Sequence, residues 1–406
     1  MKLFLILAWR NLWRNKRRTL LSVSSVFFAL LLAIITGSLQ NGSYDYMIDS
    51  AVRMYTGYLQ IHGQNYWEER SLESSIDYNE SLLAKIESQN SIRIAVPRLE
   101  NFMLVSSGNL TKVGSIIGID PKKEDKMSSL KSKVISGEYI DEDDDALLIS
   151  EGLARLLDVE IGDSIILYGQ GIYGTTAAGI FPIKGIVKFS LPELNNRMVY
   201  LPLKLSQQLL SLENKVTSIS ILLTNPKELG TVQKNLKKIL GNNYEIMTWE
   251  EMMPELVQII QLDSVSGIIM LAILYIIITF GIFGTIMMMT AERTREFGIL
   301  ISIGMKKTRL IIVTAIESLL ISLLGILSSL LVTIPMILYF NKNPIRLKGN
   351  LEEISLKYGV EPILPFNKDI DLFINQTIVV LIIGIVCALY PLLYIRKLNP
   401  VQALRQ

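Results

Sequence analysis

TLLSVSSVFFALLLAIITGSLQ, from Thr19 to Gln40, runs 22 residues without a charge and follows directly on Lys16, Arg17 and Arg18. A helix needs about 20 such residues, at about 1.5 Å each, to cross a hydrocarbon layer about 30 Å thick. The next charge is Asp45. A cleaved signal peptide carries the same basic flank, but its apolar region spans only about 7–15 residues. The stretch reads as an uncleaved anchor, with cleavage near Thr36–Ser43 as the alternative.

Three more stretches have the same length and character: between Asp263 and Glu292, between Arg309 and Lys342, and between Asp371 and Arg396. Only the one before Lys342 contains a charge, Glu317. Half of the 406 residues are hydrophobic and the mean hydropathy is +0.37, above the usual range of a soluble globular chain. Orientation follows the excess of Lys and Arg on the cytoplasmic side. Lys2, Arg10, Arg14, Lys16, Arg17 and Arg18 precede the first span; Arg293, Arg295, Lys306, Lys307 and Arg309 join the second to the third; Arg396, Lys397 and Arg405 follow the fourth. Residues 41–263 instead hold 21 basic against 30 acidic residues, a net of −9. The fold class expected is an α-helical membrane protein of four transmembrane helices, with a large α+β extracytoplasmic domain between helices 1 and 2. Its parts are a cytoplasmic interfacial helix (1–18), a first span (19–40), a two-lobed extracytoplasmic domain (41–263) and a second span (264–291). A cytoplasmic loop (292–309), a third span (310–341), a short outer loop (342–371), a fourth span (372–395) and a cytoplasmic tail (396–406) follow.

Residues 1–18 suit the membrane surface: Leu3, Ile6, Leu7, Trp9, Leu12 and Trp13 form an apolar and aromatic side, and the basic residues face phosphate. The 41–263 segment mixes short strands and helices. Alternation or β-branched runs predict strands at 57–62, 92–96, 102–105, 113–119, 146–149, 165–168, 181–187, 198–201, 218–223 and 244–247. Helices are expected at 81–89, 151–157, 205–210 and 227–239.

Nothing in this segment has the composition of an active site. One histidine, His62, and one cysteine, Cys387, cannot make a zinc site on this chain alone. The acids Asp141, Glu142, Asp143, Asp144 and Asp145 lack the alternating ligands and the glycine of a calcium loop and read as a solvated turn. Gly169, Gln170, Gly171, Ile172, Tyr173 and Gly174 follow a strand but open no helix, so they are a hairpin tip rather than a nucleotide loop. No Gly-x-x-x-x-Gly-Lys-Ser/Thr occurs, so the phosphate cradle for ATP hydrolysis is missing.

The cytoplasmic loop carries the most specific wording. Glu292-Arg293-Thr294-Arg295-Glu296-Phe297-Gly298-Ile299-Leu300, then Gly304 and Met305, predicts a short surface helix with a glycine stop. It resembles the signature of the MacB/LolC–LolE/FtsX superfamily of ABC-transporter permeases, Glu-Arg-x-x-Glu-Ile/Phe-Gly-Ile-Leu and an apolar-Gly pair. The resemblance extends along the chain. Ala8-Trp9-Arg10-Asn11 before the first span, Gly57–Ile61, Leu153–Leu157 with Gly162-Asp163, and the tail Asn399-Pro400-Val401-Gln402-Ala403-Leu404-Arg405 are all similar to family elements.

The resemblance implies a non-catalytic permease subunit whose residues 292–305 seat in a separate ATPase, with Glu292, Arg293, Arg295, Glu296, Phe297, Gly298, Leu300, Gly304 and Met305 in the coupling segment. It implies a MacB-like core domain outside, no cofactor on this chain, and ATP and Mg in the partner ATPase. The separate ATPase and the large outer domain look most like the LolC/LolE lipoprotein-release permeases of the bacterial inner membrane. The implied partners are that ATPase, a second permease (identical or a paralogue), membrane lipids, lipoprotein or other periplasmic cargo, and a soluble carrier docking near the 169–174 hairpin. Nucleic acid is not among them. MacB-like export of a periplasmic peptide or small molecule, and FtsX-like signalling to a cell-wall hydrolase, are the alternatives. Glu317, inside the third span about two turns from Arg309, is expected to pair locally or to snorkel, with a proton relay or substrate contact as the alternative.

Overall fold

The computed structural model describes residues 2–14, 16–189, 191–357 and 362–399; the 400–406 part of the family-like tail lies outside the described residues. The chain divides into two compact units. One holds Met1–Tyr46, Ile259–Arg346 and Ile363–Gln406, and the other Met47–Gln258 and Leu347–Pro362.

The first unit is helical. Its elements are α1 (Lys2–Arg14), α2 (Lys16–Ala51), α3 (Pro254–Glu292), α4 (Thr294–Ser302), α5 (Lys307–Lys342) and α6 (Ile370–Lys397). Among the described residues, four helices are long and apolar enough to cross a membrane: Lys16–Thr56, Pro254–Glu292, Lys307–Lys342 and Ile370–Lys397. Two of them outrun the apolar stretches that mark them. The first continues past Gln40 to Ala51 and through a π-helical turn, Val52–Thr56; the second starts at Pro254 rather than near 264. Their shared core takes residues at helical spacing: Val26, Leu30 and Ile34 of α2, Ile278, Ile282 and Ile286 of α3, Ile326 and Ile337 of α5, and Val380 and Cys387 of α6. Where α5 meets α2, a Cβ on Gly325 would land on the side chain of Val26, so glycine sets the approach of those two backbones. α1 packs on α5 with Ala8 and Leu12 buried. Leu5, Ile6, Trp9 and Trp13 stay exposed, with the two indoles edge to face at 5.9 Å.

The second unit is built on a ten-stranded mixed sheet. Its strands are β1 (Leu59–Gly63), β2 (Ile92–Ser107), β3 (Leu110–Ile119), β4 (Val134–Gly137), β5 (Leu147–Ser150), β6 (Ser164–Gln170), β7 (Thr176–Val187), β8 (Met198–Pro202), β9 (Ser218–Leu223) and β10 (Tyr244–Thr248). The order is β10-β1-β9-β2-β3-β8-β5-β7-β4, and β6 pairs with both β2 and β7. Strands from the two ends of the segment (β1, β9, β10) lie to one side, and the middle strands (β4 to β8) to the other.

β2 joins the two groups, and here the structure corrects an expectation. The stretches 92–96 and 102–105 form one strand of 16 residues through Pro97. Proline lacks the N–H that a central strand needs. The Arg98 carbonyl accepts from the Thr217 N–H, so the amide groups of residue 98 face β9 and the Pro97 nitrogen faces the other side. There β3 has already ended, at Ile119 opposite Arg98. The missing donor therefore removes no ladder bond.

A buried ion pair ties the turn after α2 to this spine. Arg98 donates from Nε to Glu124 Oε2 (2.9 Å) and from Nη2 to Glu124 Oε1 (2.7 Å), and from Nη1 to the Tyr55 carbonyl. Both partners are almost fully buried. A fork-on-carboxylate geometry and the third bond satisfy charges that would otherwise be costly to bury. Glu124 stands on a short helix, Pro121–Ser128, whose N-cap Asp120 accepts from the Lys122 and Lys123 N–H groups.

The acid run is a turn, as expected. Asp144 Oδ2 accepts from the Asp141 N–H (2.7 Å) and from Lys184 Nζ (2.5 Å), while Lys204 meets Glu142 and Asp143. Partial burial pushes the Asp144 carboxyl up, but those two donors outweigh it and hold it below the usual range.

Candidate coupling site and outer hairpin

α4 is amphipathic in a way its sequence spacing dictates. Arg293, Thr294, Phe297 and Gly298 are buried; Arg295, Ile299, Leu300 and Ile303 are exposed. Phe297 packs with Leu310, Ile395 and Leu398, and with Ile301, Met305 and Tyr394 beside them. The helix ends where the glycine predicted it. Gly304 has φ +103°, its N–H donates to the Ile301 carbonyl, and the Met305 N–H donates to the Leu300 carbonyl. This pair of bonds around a left-handed glycine is a Schellman stop.

Charges fix the other end. Glu292 pairs with Arg18 (2.8 Å) and Glu296 with Arg14 (2.8 Å), both half exposed and each worth about 1 kcal/mol or less. Arg293 behaves differently. Its Nη1 donates to both Glu317 oxygens, at 2.7 and 2.8 Å, and both side chains are buried. Its guanidinium lies 5.3 Å from the Phe297 ring centre. Its Nε, 3.5 Å from Glu296 Oε2, makes no hydrogen bond. The expectation that Glu317 pairs with Arg309 or snorkels is thus corrected: its partner is Arg293, 24 residues earlier. Arg309 stands eight residues before Glu317 on α5, beyond the three- or four-residue spacing at which helix side chains meet. Thr294 Oγ1 and Tyr394 OH share a hydrogen bond (3.0 Å), and Lys307 Nζ donates to the Leu398 carbonyl (2.7 Å). Sequence reasoning missed Arg14, Arg18, Tyr394 and Lys307 here, having counted the basic residues only as topology signals.

The 169–174 stretch is a hairpin tip. Gly169 and Gln170 close β6, and the Gly171 N–H donates to the Thr175 carbonyl across a 3-10 turn, Ile172–Gly174. Ile172 is buried, while Tyr173 (φ +54°) is 77% exposed.

Comparison with known families matches residues 19–239 to the MacB-like periplasmic core domain and residues 268–400 to the FtsX-like permease C-terminal domain. The chain belongs to the FtsX/MacB family of ABC-transporter permeases. This permease is 22% identical over 321 residues to the lipoprotein-releasing system transmembrane protein LolC of Xylella fastidiosa (strain 9a5c), covering 77% of each chain. It is 24% identical over 242 residues to LolE of Haemophilus influenzae, 57% of each chain. The solved periplasmic region of MacB from Actinobacillus actinomycetemcomitans is similar at a TM-score of 0.37 and 14% identity, covering 51% of this chain and 94% of that one. The permease is a helical protein of the bacterial inner membrane with a large extracytoplasmic domain, here the outer domain.

Proposed function

We propose that this permease passes the work of a separate ATPase to its outer domain, and that the work done is release of lipoproteins from the inner membrane. ATP and Mg stay with the ATPase; this chain contributes no catalytic group or cofactor. A second permease, identical or a paralogue, completes the assembly, and a soluble carrier receives the cargo. The observation that carries the reading is the two-sidedness of α4. Its inner side is anchored by Phe297 and by the Arg293–Glu317 pair to the third span. Its outer side offers Arg295, Ile299, Leu300 and Ile303, and Ile303 is 79% exposed. A helix held this firmly from behind and apolar in front suits a groove on a partner that pushes. The similarity to LolC and LolE, which are named for lipoprotein release, supports lipoprotein as the cargo.

The test is co-purification of the full-length complex in mild detergent. Leu300→Glu with Ile303→Glu should lower ATPase retention about tenfold or more, since one such apolar contact is worth about 1.5–3 kcal/mol. Wild-type retention together with wild-type release would overturn the assignment.

A further inference from the structure

The outer domain leaves one face of its sheet uncovered. Phe102, Leu104, Val113, Ile166, Tyr168 and Ile180 are all exposed, from 41% at Leu104 to 68% at Ile180. They are neighbours by register. Leu104 stands opposite Val113 on one side and Tyr168 on the other, Ile166 stands opposite Ile180, and Phe102 lies two residues from Leu104 on the same face. The alternate residues Met103, Val105 and Leu167 are buried on the opposite face. Every other residue on the uncovered face, between 102 and 106, 111 and 115, 164 and 170, and 176 and 182, is Ser, Thr, Gln, Ala or Pro. A sheet face turned to water normally alternates in charged residues; within these bounds this one has none, and charges on the same face return only at its ends, Glu100 on β2 and Lys184 on β7.

The patch does not end at the sheet. Phe102 and Ser115 also line a cleft of about 330 Å³ whose walls include Met54, Met198, Met252 and Met253. Its charged lining is Glu193 and Arg197, paired with each other, and Glu255. Met54 lies in the π-helical turn that continues α2, and Met253 directly precedes α3. Unbranched thioether side chains adapt to a flexible apolar guest.

We propose that cleft and face form one apolar track that holds the acyl chains of the cargo lipoprotein on the outer domain. This rests on the lipoprotein-release reading above. The chemistry selects the occupant: between Glu100 and Lys184 the strip offers no charge, and the cleft that continues it has four thioethers in its walls. A hydrocarbon chain has no polar group to satisfy and gains from every residue along the strip. The track begins at the residues that adjoin the first two spans in the chain, where a lipid-anchored cargo starts.

The experiment uses the full-length permease with its ATPase in nanodiscs, with p-benzoylphenylalanine in place of Leu104 or Tyr168, and of Lys112 as the control on the opposite face of β3. The probes are a synthetic triacylated lipopeptide, its unacylated peptide, and nanodisc phospholipid alone. Positions 104 and 168 should capture the lipopeptide about tenfold more than position 112 does, and Ile180→Glu should cut that capture by about tenfold, one apolar contact's worth. Equal capture at 112, equal capture of the unacylated peptide, capture of phospholipid alone to the same level, or cross-links only to a second copy of the chain would each overturn it. Release proceeding normally in Ile180→Glu without capture would sink the track and leave the release reading standing. Capture by a complex that releases no lipoprotein would do the reverse.

Discussion

His62, near the end of β1, is buried with its ring against those of Tyr66 (5.3 Å) and Trp67 (5.6 Å). Gln60 Nε2 donates to Ser220 Oγ, which turns Gln60 Oε1 to accept from His62 Nε2–H at 2.7 Å. The ring's Nδ1 has no partner, and Glu245 stands opposite on β10. Burial, with the Arg70 charge adding to it, pushes the His62 pKa down to about 3 from 6.5. Between those values the unfolded chain binds the proton and the folded one does not. The stability that depends on a neutral imidazole is therefore full above pH 6.5 and is lost as pH falls toward 3. At about pH 5 the loss should be about 2 kcal/mol, seen as lower amide protection factors in β1 and β10, corrected for the intrinsic exchange rate at each pH, than at about pH 7.5. His62→Gln should flatten the difference; equal protection of the wild type at both pH values would refute it. Of this residue the sequence told only its place in a strand, because burial and the missing partner arise from distant chain segments.

At the scale of elements, the question is what locks α4 to α5. Removing one partner of a buried pair leaves a bare charge and costs about 3–5 kcal/mol, whereas replacing both by apolar residues is often neutral. Glu317→Ala should lower the thermal stability of the detergent-solubilised permease, and Arg293→Met with Glu317→Leu should restore it. ATP-driven release should stay impaired in the double variant if the pair is also the mechanical joint; a Glu317→Ala protein as stable as wild type would refute the pairing. The glycine stop and the amphipathic face of α4 were legible, being local patterns. The joint was not: sequence spacing offered only Arg309, while the true partner depends on how the turn at Lys306 returns the chain. The same limit split β2 in two at Pro97, since whether a proline breaks a strand depends on where its neighbour strand ends.

For the whole molecule, hydropathy alone identified four spans, because a helix that must hide its backbone in hydrocarbon has to be apolar over its full crossing. The charge asymmetry predicts both termini and the α4 loop inside. Alkaline phosphatase fused after Gln170 should be active and after Lys306 inactive; the opposite pattern would invert the topology. The order of residues along the chain also bears on how such a protein is made. Arg293 leaves the ribosome before Glu317, so when the carboxylate approaches the bilayer its counter-charge is already waiting at the surface. An unpaired acid inside a crossing is costly to insert, and a paired one is less so. The second and third crossings should therefore enter lipid together, as one hairpin, rather than one after the other.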